Sequence, residues 1–252
     1  MSRRPDGYHE LETCFYPVPW QEALEIVEAK KTTFTSSGIK IHGEGDNICL
    51  KAYQLLTSDY DIPPVNIHLH KAIPIGAGLG GGSADGAFTL KLINNLFSLG
   101  LSESQLIQYA TKLGADCTFF IKNKPMFAKG IGEKLEVINI SIAGKYLFLV
   151  YPDIHISTKE AYASIIPKKP VLEINQIIEK IDLYEWKDHL INDFESSLFK
   201  TYPMLKAIKQ ELYEAGAIYA SMSGSGSCMF GIYDEAPKLS FPSRYNIWSG
   251  KI

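Results

Sequence analysis

The sequence has no apolar run of membrane-spanning length. Its strongest, Tyr146-Leu147-Phe148-Leu149-Val150-Tyr151, suits a buried strand and falls far short of the about 20 residues a bilayer helix needs. It also has no marked charge of one sign: 25 basic residues stand against 28 acidic ones, a formal net charge of −3. That balance offers no electrostatic footprint for nucleic acid and no polybasic anchor for a membrane surface. Cysteine is scarce and scattered (Cys14, Cys49, Cys117, Cys228), with no Cys-x-x-Cys pair and no metal-ligand spacing, so reduced thiols and a cytoplasmic chain are expected. The opening Arg3-Arg4-Pro5-Asp6-Gly7 has no signal-peptide pattern, and no internal repeat or low-complexity tract follows.

What is present is an ordinary globular composition, 46% hydrophobic and 21% charged over 252 residues, long enough for two modest domains. Leu11 to Tyr16 reads as a strand interrupted by Pro17 and Pro19, and Glu22 to Phe34 holds short β-prone runs. A polar turn is expected at Ser36-Ser37-Gly38, ahead of Ile39-Lys40-Ile41. Asp46 or Asn47 caps a helix through Ile48, Leu50, Ala52, Leu55 and Leu56. Val65 to Lys71 alternates apolar and polar, as a half-buried strand does. Ser83 to Phe97 reads as a helix. Ser102-Glu103-Ser104-Gln105 is a capping box opening another, ended by Gly114, with Asp116 in the turn beyond. In the later part, a helix follows Pro203 and closes near Gly216, and the turn Ser223-Gly224-Ser225-Gly226-Ser227 leads into a strand from Cys228 to Tyr233.

The segment Pro74-Ile75-Gly76-Ala77-Gly78-Leu79-Gly80-Gly81-Gly82-Ser83-Ala84-Asp85 stands between a strand and a helix. Glycines let backbone approach a phosphate, and a helix start presents free N–H groups with the positive end of the dipole. Ser83 can cap the helix or reach a phosphate or metal ion. Gly76-x-Gly78-x-x-Gly81 also fits the dinucleotide fingerprint. The preceding strand alternates, however, where a central parallel strand would be continuously apolar. No acidic residue closes a following strand about 20 residues on to meet a ribose. No Gly-Lys-Ser/Thr follows the glycines, so the loop is not Walker A, and the protein-kinase signature set is missing.

These residues resemble the GHMP small-molecule kinases, whose second motif has the form Pro-x-x-x-Gly-Leu-Gly-Gly-Gly/Ser-Ser. The resemblance rests on the glycine turn, Gly114-Ala115-Asp116-Cys117-Thr118-Phe119-Phe120, Met222 to Ser227, and Arg3 to Thr13, which runs Arg-Arg-Pro-Asp-Gly-Tyr-His-Glu-Leu-Glu-Thr. Asn192-Asp193-Phe194-Glu195 and Gly130-Ile131-Gly132-Glu133 add to it. The first of these blocks in the chain, Arg3 to Thr13, is similar to that of the members acting on a cytidyl-diphosphate sugar alcohol in the non-mevalonate isoprenoid pathway.

The resemblance implies an α+β fold in two domains, a ribosomal-S5-like ATP-binding part over residues 1–143 and a ferredoxin-like part over 144–252, with the site in the cleft between. It implies ATP with Mg²⁺, phosphates on Pro74 to Ala84, and Asp116 as the base that receives the substrate hydroxyl's proton. Tyr8 and His9 are implied for the cytosine end, with Thr158 and Tyr162 near the substrate. On the residues alone, Asp116 is equally a turn residue, Tyr8-His9 the start of a strand, and Thr158 to Tyr162 a helix N-terminus with a packed tyrosine. His68 and His70 share a strand face and read as solvated, with no third metal ligand in sight. A monomer or weak homodimer without nucleic-acid or membrane partners is expected. The family pattern sets an Ala-Lys-Ile/Leu-Asn strand ahead of the Arg3 block; here Met1-Ser2 stand there, so its lysine and asparagine are expected to be missing. A different alcohol acceptor, an ATP-binding chain without catalysis, and a nicotinamide enzyme are the competing readings.

Overall fold

The computed structural model describes residues 2–3, 9–41, 47–130, 132–140, 142–163, 165 and 172–252. Strand β1 (Ser2–Arg3), β2 (His9–Phe15), β6 (Met126–Gly130) and β7 (Lys134–Val137) form one sheet in the order β1-β2-β6-β7, antiparallel throughout. A second sheet is built from β3 (Ala23–Glu28), β4 (Thr33–Gly38) and β5 (Val65–Lys71), with β5 in the middle, antiparallel to β3 and parallel to β4. The third joins β8 (Tyr146–Tyr151), β9 (Tyr219–Met222), β10 (Met229–Tyr233) and β11 (Asn246–Lys251) in the order β11-β8-β10-β9.

The alternation of β5 is realised literally. Val65, Ile67 and Leu69 are buried, whereas Asn66 and His70 are exposed. Its inner face meets helices α1 (Ile48–Thr57), α2 (Gly81–Leu96) and α3 (Glu103–Leu113) in one apolar core containing Leu56, Leu90, Ile93 and Leu106. Asn47 caps α1 by accepting from the Cys49 N–H at 2.8 Å, and Ser102 with Gln105 forms the capping box on α3. Helix α4 (Ala115–Lys122) follows α3 directly and packs on α2 and α3.

In the third sheet β8 lies between two partners and is buried on both faces, which explains its uninterrupted apolar run. Leu147, Leu149 and Tyr151 enter one core, and Phe148 and Val150 the other. The remaining helices are α5 (Thr158–Ala163), α6 (Ile174–Lys180), α7 (Trp186–His189), α8 (Glu195–Thr201) and α9 (Pro203–Glu214). Leu205, Ile208 and Leu212 of α9 share the core of Phe148 and Val150. Among the described residues, no helix is long and apolar enough to cross a membrane.

Three local expectations are corrected. Ser36-Ser37-Gly38 is the end of edge strand β4, not a turn, because its polar side chains face solvent and bond across the strand pair. Ser37 Oγ lies 3.0 Å from both His68 Nε2 and His70 Nδ1, and Thr35 Oγ1 lies 2.8 Å from His68 Nδ1. Helix α2 starts at Gly81, so Ser83 is its third residue and Gly80 the cap, without a side-chain bond. Asp116 lies in the first turn of α4, since the extended backbone of Gly114 separates two helices where a longer turn was expected.

Candidate active site

Strand β5 delivers the chain to the glycine turn, and α2 carries it away. Gly76, Gly78 and Gly80 have φ of 76°, 78° and 67°, whereas Ala77 and Leu79 between them are not left-handed. That alternation is accessible because every second residue lacks a Cβ, and it turns successive N–H groups toward one concave side. Gly81, Gly82 and Ser83 add the unpaired N–H groups of the first turn of α2. The first intrahelical bond appears only at Ala84, whose N–H donates to the Gly80 carbonyl at 2.9 Å.

The loop is held from outside. Ser223 Oγ donates to the Gly78 carbonyl at 2.8 Å, and the Cys228 N–H donates to the Ala77 carbonyl at 3.1 Å. Gly226 lies so close to the Ala77–Gly78 peptide that a side chain there would collide with it. The Ser223–Ser227 turn therefore packs directly on the glycine turn, and at Gly78 and Gly226 only glycine fits.

Behind the loop sits a buried ionic cluster. Lys71 Nζ lies 2.8 Å from Glu22 Oε2 and 2.8 Å from Asp85 Oδ2, with all three side chains less than a tenth exposed. Glu22 also accepts the Ala72 and Ile73 N–H groups at 3.1 and 2.7 Å. One ammonium cannot neutralise two buried carboxylates, and the less solvated partner takes the proton. Burial, then the hydrogen bond shared with Glu22, raises Asp85 to about 7. For Glu22, burial pushes the pKa up, but hydrogen bonds with Asp85, Lys71 and the Ile73 N–H outweigh it and leave a net lowering.

One cavity of about 1190 Å³ gathers part of the candidate set, and Ile75, Gly82, Ser83 and Tyr162 are not in its wall. Its wall includes Gly76, Gly78, Leu79, Gly80, Gly81 and Ala84 of the glycine turn, Asp116, Thr158, and Ser223 to Gly226. Pro74 and Ala77 are buried beneath the turn. Asp116 is open to the cleft, yet enough protein surrounds it for desolvation to raise its pKa. Its neighbour Cys117 is buried, and that burial raises its thiol pKa. Thr158 opens α5, where Ser157 supplies the capping oxygen by accepting from the Glu160 N–H at 3.1 Å. Tyr162 stands one turn further, edge-on to Phe194 with ring centroids 5.0 Å apart. Burial and, secondly, the charge of Asp116 raise its pKa, which places it in the field of that carboxylate. Tyr8 lies outside the described residues, and of His9 only the backbone in β2 is described.

Sequence reasoning passed over His155 and the Lys71 cluster. His155 lines the cavity with its ring against Gly76, where any Cβ would collide with it. No local pattern announces it, because its loop meets the glycine turn only in three dimensions. Lys71 could have been suspected as a charge on the buried face of an alternating strand. Among the described residues, no group of three or more His, Cys, Asp or Glu side chains could hold a metal ion.

Comparison with known proteins places the chain in a family. The family descriptions "GHMP kinases N terminal domain" and "GHMP kinases C terminal" match residues 47–124 and 175–241. The 4-diphosphocytidyl-2-C-methyl-D-erythritol kinase of Cytophaga hutchinsonii is 48% identical over 99% of this chain and 93% of its own length. That of Parabacteroides distasonis is 46% identical over 100% and 94%. A crystal structure of 4-(cytidine 5'-diphospho)-2C-methyl-D-erythritol kinase superposes with a TM-score of 0.78 at 30% identity, covering 91% of this chain and 83% of the other. A homoserine kinase structure from Cytophaga hutchinsonii, at 16% identity and a TM-score of 0.70 over 92% and 85% of the two chains, shares the fold. The chain belongs to the GHMP kinases, within the 4-diphosphocytidyl-2-C-methyl-D-erythritol kinase branch, and is a small-molecule kinase of α+β fold.

Proposed function

We propose that the chain transfers the terminal phosphoryl group of ATP to the 2-hydroxyl of 4-diphosphocytidyl-2-C-methyl-D-erythritol, in the reducing cytoplasm that its free cysteines suit. Residues 1–143 would form the nucleotide-binding domain and residues 144–252 the second, with the reaction in the cleft lined from both. The observation that carries the reading is the convergence of the glycine turn, Asp116 and Thr158 on one cavity.

The N–H groups of the Pro74 to Ala84 segment hold the phosphates and stabilise charge on the transferred group. Asp116 receives the proton of the attacking hydroxyl. A carboxylate is a weak base for a resting alcohol, but the raised pKa strengthens it, and a loose transition state lets the proton move late. Mg²⁺ would enter with the nucleotide, held through phosphate oxygens and water, and would shield the phosphate charge. Thr158, at the start of α5, faces the substrate across the cleft. Tyr162, braced by Phe194, and the Tyr8-His9 pair recognise the cytosine by stacking and edge hydrogen bonds.

The test is phosphate transfer from ATP to the cytidyl substrate by this chain and by Asp116→Asn. The variant should bind ATP normally and lose on the order of 10²- to 10⁴-fold in kcat, the usual contribution of a positioned base. Equal rates would remove Asp116 from the mechanism. Phosphorylation of homoserine or mevalonate in preference would reassign the acceptor while leaving the kinase in place.

A further inference from the structure

We propose that Asn192, in the loop between α7 and α8, is a positioning residue for the nucleotide phosphates, acting through the Ser223–Ser227 turn. This rests on the reading of the glycine turn as the ATP site.

Both Nδ2 hydrogens of Asn192 are spent on backbone carbonyls, those of Met222 and Gly224, each at 2.8 Å. Its Oδ1 accepts the Phe194 N–H at 3.0 Å, so the side chain has no freedom to rotate or flip. The two carbonyls flank Ser223. The Ser223 N–H donates to the Cys228 carbonyl at 2.8 Å and its carbonyl accepts the Gly226 N–H at 3.2 Å. The hydroxyl alone is left to reach outward, and it holds the Gly78 carbonyl at 2.8 Å. Glu195, three residues along, grips the strand leading into the same turn, with its Oε1 accepting the Met222 N–H at 2.8 Å and Ser221 Oγ at 3.0 Å.

The consequence for the phosphate cradle follows from peptide planarity. In a trans peptide the C=O and the following N–H point in opposite directions. Anchoring the Ala77 and Gly78 carbonyls to Cys228 N–H and Ser223 Oγ turns the Gly78 and Leu79 N–H groups away from the second turn. Both residues border the cavity. The peptide orientations of the cradle are thus set from a loop more than 100 residues away in sequence, through Asn192. Loop cradles bind well only when their N–H groups are aimed before the ligand arrives.

The experiment measures the dissociation constant for ATP by calorimetry on the full chain and on Asn192→Ala, Ser223→Ala and the double variant. Melting temperature and the KM for the alcohol acceptor are recorded beside it. Each single variant should weaken ATP about tenfold, the scale of one lost positioning hydrogen bond, while the acceptor KM stays put. The double variant should be no weaker than about twentyfold, because both groups act through the same Gly78 carbonyl and their effects cannot add. Asn192→Asp keeps the shape and the Phe194 bond but sets a carboxylate against two carbonyls; it should match Asn192→Ala and serves if that variant does not fold. Unchanged ATP affinity in either Asn192 variant, fully additive losses, or equal losses for ATP and acceptor would overturn the proposal. A wild-type chain that binds no ATP would overturn the underlying site assignment, and this proposal with it.

Discussion

At the scale of single residues the most perturbed carboxyl lies in the cluster behind the glycine turn, outside the proposed catalytic set. Asp85 shares Lys71 with Glu22, and its pKa is raised from 3.8 to about 7. A carboxyl raised on folding lends stability at low pH that is lost as pH rises through the folded value. The protonated acid bonds to Glu22 at pH 5 and is replaced by a second buried anion at pH 8. Asn mimics the neutral form. Thermal melts of wild type and Asp85→Asn should therefore nearly coincide at pH 5 and separate at pH 8, with the variant more stable there. A constant difference across that range would mean that Asp85 stays ionised. Legibility at this scale was uneven. Asp116 was nameable because Gly-Ala-Asp-x-x-Phe-Phe resembles a known block, whereas His155 carries no motif, and its role beside Gly76 exists only in the folded chain.

At the scale of elements, local chemistry explains most of what the chain does. The capping box of α3 was readable as Ser-x-x-Gln and is present in full, with Ser102 N–H donating to Gln105 Oε1 at 3.0 Å. Ser102→Ala should cost about 1 kcal/mol, as the loss of a cap does, measured by denaturant unfolding. The ATP affinity should be unchanged, since no residue of α3 lines the cavity. The strand-like alternation of β5 and the apolar run of β8 were equally direct, because burial on one face or two imposes its own sequence period. The boundaries that failed did so for a reason. Edge strand β4 carries serine and threonine toward solvent and cross-strand histidines, which in sequence is indistinguishable from a polar turn. The start of α2 lies two residues earlier than Ser83 because glycines at a helix N-terminus carry no propensity signal.

At the scale of the whole molecule the cavity wall is assembled from the glycine turn, α4, the loop before α5 and the Ser223–Ser227 turn. A ligand that bridges them should stabilise the whole. ATP at about 100 times its dissociation constant should add about 2.7 kcal/mol, visible as a higher melting temperature. NADH at the same concentration should leave it unmoved, and the reverse pattern would revive the nicotinamide reading. The amino-acid sequence by itself determined the glycine turn, the capped helices, the buried strands and the likeness to GHMP kinases, because each is written in a contiguous run of residues. Only the tertiary structure decided that Ser223 and Gly226 lock onto Gly78, that Lys71 is shared between Glu22 and Asp85, and that Tyr162 feels the charge of Asp116. Those pairings join residues from 14 to more than 140 positions apart, as Lys71 and Asp85 at one extreme and Gly78 and Ser223 at the other. Nothing local selects them; they are settled by how the two faces of β8 and the inner face of β5 bury their apolar side chains.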